Sequence, residues 1–166
     1  MLTREFLAAV EEQVLPRLPR PPVGTVIRAS LLQLHWGVPA VHYEVWVQRR
    51  SERVEVGLHF EGPTEFSRAA LAGLLDERPL LLAELGPGWE AEDWTVSWSR
   101  VHRTVRAATL DGGAVEECAA SLARLAGATL EYVTAVGAPE PAARGDSAGR
   151  RRTSSPHRRR RGRLMP

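Results

Sequence analysis

The stretch "VHYEVWVQRRSERVEVGLHFEG", Val41 to Gly62, decides the fold of this chain. Apolar residues alternate on both sides of a polar centre, the period-two pattern of two strands joined as a hairpin. With Ser51-Glu52 as a two-residue loop, Tyr43 lies opposite Phe60, Val45 opposite Leu58 and Val47 opposite Val56. All three pairs are apolar, as a core-facing side requires. Ser-Glu is not the favoured chemistry for so tight a turn, so a longer loop with a shifted register is the alternative. The other face of the hairpin carries His42, Glu44, Trp46, His59 and Glu61. In the two-residue-loop register Glu44 faces His59, His42 faces Glu61, and Trp46 covers Gly57.

Around the hairpin the pattern changes period. Before it, Thr3 can cap a helix to about Leu18, with Phe6, Leu7, Val10, Val14 and Leu18 near one face. The apolar run Thr25–Trp36 reads as a single strand. After the hairpin, "PTEFSRAALAGLLDERPLLLAELG" reads as a helix capped by Thr64 and stopped at Gly86, with Pro79 kinking or splitting it. "PGWEAED" reads as an acidic loop, and "WTVSWSRVHRTVRAATL" as strand-like, above all across Trp94–Val101. A last helix places Val115, Ala119, Leu122, Ala126, Leu130 and Val133 along one stripe. The order is α-β-β-β-α-β(β)-α. The expected class is α+β: an antiparallel sheet of four or five strands with three main helices packed on it.

The domain is expected to span 1–138, followed by a tail over 139–166. All 22 basic residues are arginine, and with many Ala, Gly and Pro this points to a GC-rich, bacterial coding sequence. Residues 1–138 hold 13 Arg against 18 acidic residues, a net −5, whereas 139–166 hold nine Arg against Glu140 and Asp146, a net +7. The tail is rich in Pro, Gly, Ser and Arg and poor in apolar residues, so disorder is expected. Arg150, Arg151, Arg152, Arg158, Arg159, Arg160, Arg161 and Arg163 are its candidate nucleic-acid contacts. They would follow phosphates without reading bases. Drift in a GC-rich frame explains the same arginines with no partner at all. No apolar run reaches the ~20 residues of a membrane span, and the N-terminal residues do not resemble a signal peptide. A cytoplasmic protein without a membrane partner is expected.

The polar hairpin face has two readings. Opposite-sign residues across a ladder are ordinary stabilising pairs, worth roughly 0.2–1 kcal/mol each. The same residue types, His42, Glu44, His59 and Glu61, are also a ligand set for zinc or iron, although no motif such as HExxH accompanies them. The first reading is preferred, and no cofactor is expected. Trp94 and Trp98 share a strand face with Val96 and are assigned to the core, leaving Trp46 and Trp89 as candidate partner surface. The lone Cys118, preceded by Glu116 and Glu117, reads as a buried filler and not a nucleophile.

Finally, "VEVGLHFEG", the helix ending "LLLAELG", and "WEAEDWTVSWSRV" together resemble a small uncharacterised bacterial domain often found beside restriction-type nuclease modules. The resemblance covers roughly Tyr43–Val133 and departs at Pro79 and in the tail. It implies an accessory or specificity module and carries over no site residues. The expected function is thus a non-enzymatic binding or accessory module whose tail contacts nucleic acid. The alternatives are a protein-interaction adaptor using the face around Trp46, and a small metal-dependent enzyme using His42, Glu44 and His59.

Overall fold

The computed structural model describes residues 1–138, so the arginines named in the tail lie outside the described residues. Six strands form one antiparallel sheet in the order β1-β2-β3-β4-β6-β5. They are β1 (Gly24–Arg28), β2 (Leu31–His35), β3 (Val41–Gln48), β4 (Arg53–Phe60), β5 (Trp89–Asp93) and β6 (Ser99–Arg106). The helices are α1 (Thr3–Val14), α2 (Thr64–Glu77), α3 (Leu81–Leu85) and α4 (Gly112–Ala135). The class is therefore α+β as expected, with one or two more strands than the sequence suggested.

The core lies on one face of the sheet. Val41, Tyr43, Val45 and Val47 of β3 and Val54, Val56, Leu58 and Phe60 of β4 are all buried there, with Val101 and Val105 of β6. All six stripe residues of α4 are buried against them. One polar bond ties the layers: the Tyr43 hydroxyl lies 2.8 Å from Thr129 Oγ1, whose own proton goes to the Leu125 carbonyl of α4. Burial in this apolar layer raises the Tyr43 pKa well above the ordinary tyrosine value, so the hydroxyl stays protonated and donates.

Several sequence expectations are corrected. The central hairpin keeps its faces but slides by two residues: Tyr43 pairs with Leu58, Val45 with Val56 and Val47 with Val54. The loop is longer than two residues, because Arg49–Ser51 make a 3₁₀ turn and Glu52 takes the left-handed conformation, with φ of 52°. A two-residue slip conserves side-chain parity, so the inward pattern could not distinguish the registers. The run Thr25–Trp36 is two strands, not one. Its turn falls at Ala29-Ser30, where Ala29 adopts a φ of 41° without the glycine or asparagine that marks such turns.

The first helix ends at Val14, and a 3₁₀ turn with Pro16 replaces its expected last turn. Thr3 lies inside α1 and not at its cap; the Glu5 carboxylate accepts from the Leu2 backbone N–H at 2.9 Å instead. Thr64 likewise lies inside α2, whose cap position is Pro63. Pro79 splits the second helical run into α2 and α3, and Gly86, at φ of 92°, stops α3 as expected.

The acidic segment is a strand and not a loop. "WEAED" is β5, paired along its whole length with β6. Trp89 is consequently buried on the core face, and is no partner surface. Trp94–Trp98 is the loop between β5 and β6, closed by the Trp94 N–H donating to the Trp98 carbonyl at 2.8 Å. Val96 is 85% exposed and Trp98 36%, so this segment is not core.

Candidate functional site

The helix-free face of the sheet carries the chemistry. Gln33 of β2 contributes one edge, and His42, Glu44 and Trp46 of β3 come next. Glu55, Gly57 and His59 of β4 and Arg100 and His102 of β6 continue the face, and Glu90 and Glu92 of β5 complete it. In the observed register His42 lies across from His59, Glu44 from Gly57, and Trp46 from Glu55, replacing the pairings expected for the shorter loop.

Although no helix among the described residues covers this face, His42, Glu44, Glu55, His59, Arg100 and His102 are buried. The Trp94 loop folds over them. The Trp94 ring meets His59 edge-on at 5.5 Å, stands 6.2 Å from Trp46, and receives the Arg100 guanidinium at 4.6 Å. Gly57 leaves the room beneath. A Cβ there would sit 3.0 Å from the Val101 carbonyl oxygen and 3.1 Å from both the His102 Cβ and the His59 Nε2.

Two subsites share the face. In the first, the His42 and His59 rings stack with centroids 5.7 Å apart. His42 Nδ1 lies 2.9 Å from the Pro39 carbonyl oxygen, and that bond assigns the ring proton to Nδ1. His42 Nε2 therefore presents its lone pair to Glu44 Oε2 at 3.6 Å and Glu61 Oε2 at 3.9 Å. The Gln33 amide donates to Glu44 Oε2 at 2.7 Å and lies 3.2 Å from His42 Nε2. Around His59, Glu55 stands 3.4 Å from Nε2 and Glu61 3.5 Å from Nδ1. These carboxylates are near enough to act on its charge, yet neither ring nitrogen has a hydrogen-bond partner.

The electrostatics follow from burial opposed by these neighbours. For His59, burial would lower the pKa, but Glu55, Glu61 and Glu44 overcome it and push it up to about 9. For Glu44, burial would raise the pKa, and the neighbouring His42, the charge of His59 and the bond from Gln33 hold it below the usual carboxylate value. Glu55 is lowered despite burial by His59 and Arg100.

The second subsite is a cleft of about 660 Å³ walled by Trp46 and Trp94, with Glu55, Glu92, Arg100 and His102 among its lining. Arg100 clamps the floor, donating to Glu55 and Glu92 at 2.7 Å each. Burial and the Arg100 charge lower the His102 pKa, so this imidazole is neutral near pH 7.

The four sequence-stated metal candidates His42, Glu44, His59 and Glu61 are thus brought together, with one ligand atom from each within 4.8 Å of the others. Trp46 is on the face, and Trp89 is not. Glu55, Glu90, Glu92, Trp94, Arg100 and His102 were not anticipated. The signal for the β5 and β6 residues was there: Glu90/Glu92 and Arg100/His102 alternate with Ala91 and Val101 at period two. Comparison of the chain with family models, with curated proteins and with solved structures finds no match.

Proposed function

We propose that the chain is a non-enzymatic accessory module in which body and tail bind different things. The body receives a partner in the cleft between Trp46 and Trp94, and the arginine-rich tail holds nucleic acid without reading its sequence. The observation that carries the body's part is the aromatic-walled cleft on a sheet face that no helix of the described residues covers. Half-buried aromatic walls over a charged floor suit a basic or aromatic side chain from a partner protein.

Three carboxylates, Glu55, Glu90 and Glu92, line the cleft, and Arg100 is already engaged by two of them. A phosphate backbone is repelled there, so bases do not stack on these tryptophans and nucleic-acid contact falls to the tail.

The cleft is tested by photo-crosslinking from Gln48 at its rim, comparing the natural chain with Trp46→Ala. Loss of a central tryptophan costs about 2 kcal/mol or more, so W46A should lose a discrete crosslinked partner while keeping the natural circular dichroism spectrum. A partner set unchanged by W46A would contradict the assignment.

A further inference from the structure

We propose that His42, Glu44, His59 and Glu61 bind one divalent transition-metal ion of the zinc class. The inference does not depend on what the cleft binds.

The geometry is close to what such an ion needs. Bonds of about 2.1 Å in a tetrahedral site place neighbouring ligand atoms roughly 3.4 Å apart. Here one ligand atom from each of the four residues lies within 4.8 Å of the others, with His42 Nε2 3.6 Å from Glu44 Oε2 and 3.9 Å from Glu61 Oε2. Small side-chain adjustments close these gaps without moving the strands. Two imidazole nitrogens with two carboxylate oxygens suit zinc, cobalt or ferrous ions better than calcium or magnesium, which prefer oxygen alone.

Three further observations separate this cluster from an ordinary charged patch. His42 is oriented as metal-bound histidines are, with Nδ1–H on the Pro39 carbonyl and the Nε2 lone pair aimed at the carboxylates. Gln33 holds Glu44 from behind through a 2.7 Å bond, and only its longer contact to His42 Nε2 must yield to an ion. His59 is 1% exposed, and both of its ring nitrogens lack a hydrogen-bond partner. A buried imidazole left in that state is costly, and a metal bond to Nδ1 gives one of the two nitrogens a partner, leaving Nε2 beside Glu55 at 3.4 Å. The Glu61 side chain is the most exposed of the four, at 21%, and gives the ion its way in.

All four positions are filled by the protein, as in a structural site and unlike a catalytic one that keeps a place for water. The ion would clasp β3 to the end of β4 beneath Trp94. The second cluster, Glu90, Glu92 and His102, is the weaker one, because Glu92 already pairs with Arg100.

The test uses the full chain freed of metal by a chelator, then titrated with Zn²⁺ by calorimetry and with Co²⁺ by visible absorption. One ion per chain should bind, with the intense visible bands of low-symmetry cobalt. Glu61→Gln, at a partly exposed position that tolerates the change, should weaken binding roughly tenfold or more. His42→Gln should do the same with an unchanged circular dichroism spectrum, and Glu90→Gln should bind as the natural chain does. Absence of saturable binding would overturn the proposal. So would binding that neither E61Q nor H42Q weakens, or binding that E90Q abolishes.

Discussion

His59 shows how one residue's setting dictates a measurable property. In the metal-free chain its folded pKa of about 9 lies above the ordinary value of 6.5, because Glu55, Glu61 and Glu44 outweigh burial. A raised folded pKa gives stability that is fully present below pH 6.5 and is lost as pH rises through 9. Urea unfolding of metal-free protein between pH 6 and 10 should therefore show a falling midpoint, and His59→Gln should flatten that dependence. Equal slopes for the two proteins would contradict the assignment. Cys118 gives a second residue-scale prediction. Burial first, and then Glu117, pushes its thiol up to about 12, and its side chain is fully buried. A thiol reagent at pH 8 should react only as fast as the chain unfolds, and immediate labelling would show the helix packed differently.

At the scale of elements, the hairpin was legible because alternating apolar residues leave only one face that can be buried. Its register was not. A slip of two residues keeps every inward residue inward, and the loop that settles the matter depends on Glu52 taking a left-handed conformation, with no sequence marker. The same blindness hid the turn at Ala29. The site was half legible for a related reason. His42, Glu44, His59 and Glu61 all lie on the strands whose faces were correctly read. Trp94, Arg100 and His102 depend on β5, which an acidic composition disguised as a loop. Gly57 connects these strands, since its missing Cβ is what lets His59 and His102 flank it. Gly57→Ala should cost about 1–3 kcal/mol in overpacking, read as a lowered urea midpoint. It should also disturb His59, visible as a shifted ring titration, whereas a neutral substitution would mean the face has slack.

Over the whole molecule, charge and burial divide the chain. The described body buries one apolar layer between the sheet and four helices and leaves the other sheet face to polar chemistry. Among its residues no helix is long and apolar enough to cross a membrane. That body carries a net charge of −5, and residues 139–166 carry +7. An acidic cleft and an arginine-rich tail cannot favour the same anion, which is why the partners proposed for the two parts differ. The core residues named above all lie within the described residues 1–138.

The most direct test of that division is fluorescence anisotropy of the full chain, a 1–138 truncation and W46A against labelled duplex and single-stranded oligonucleotides over a salt series. The full chain and W46A should bind alike, and 1–138 should not bind. If six arginines engage phosphates, affinity should fall roughly a thousandfold between 50 and 200 mM salt. Equal binding by the full chain and 1–138, binding weakened by W46A, or no binding at all would contradict the account.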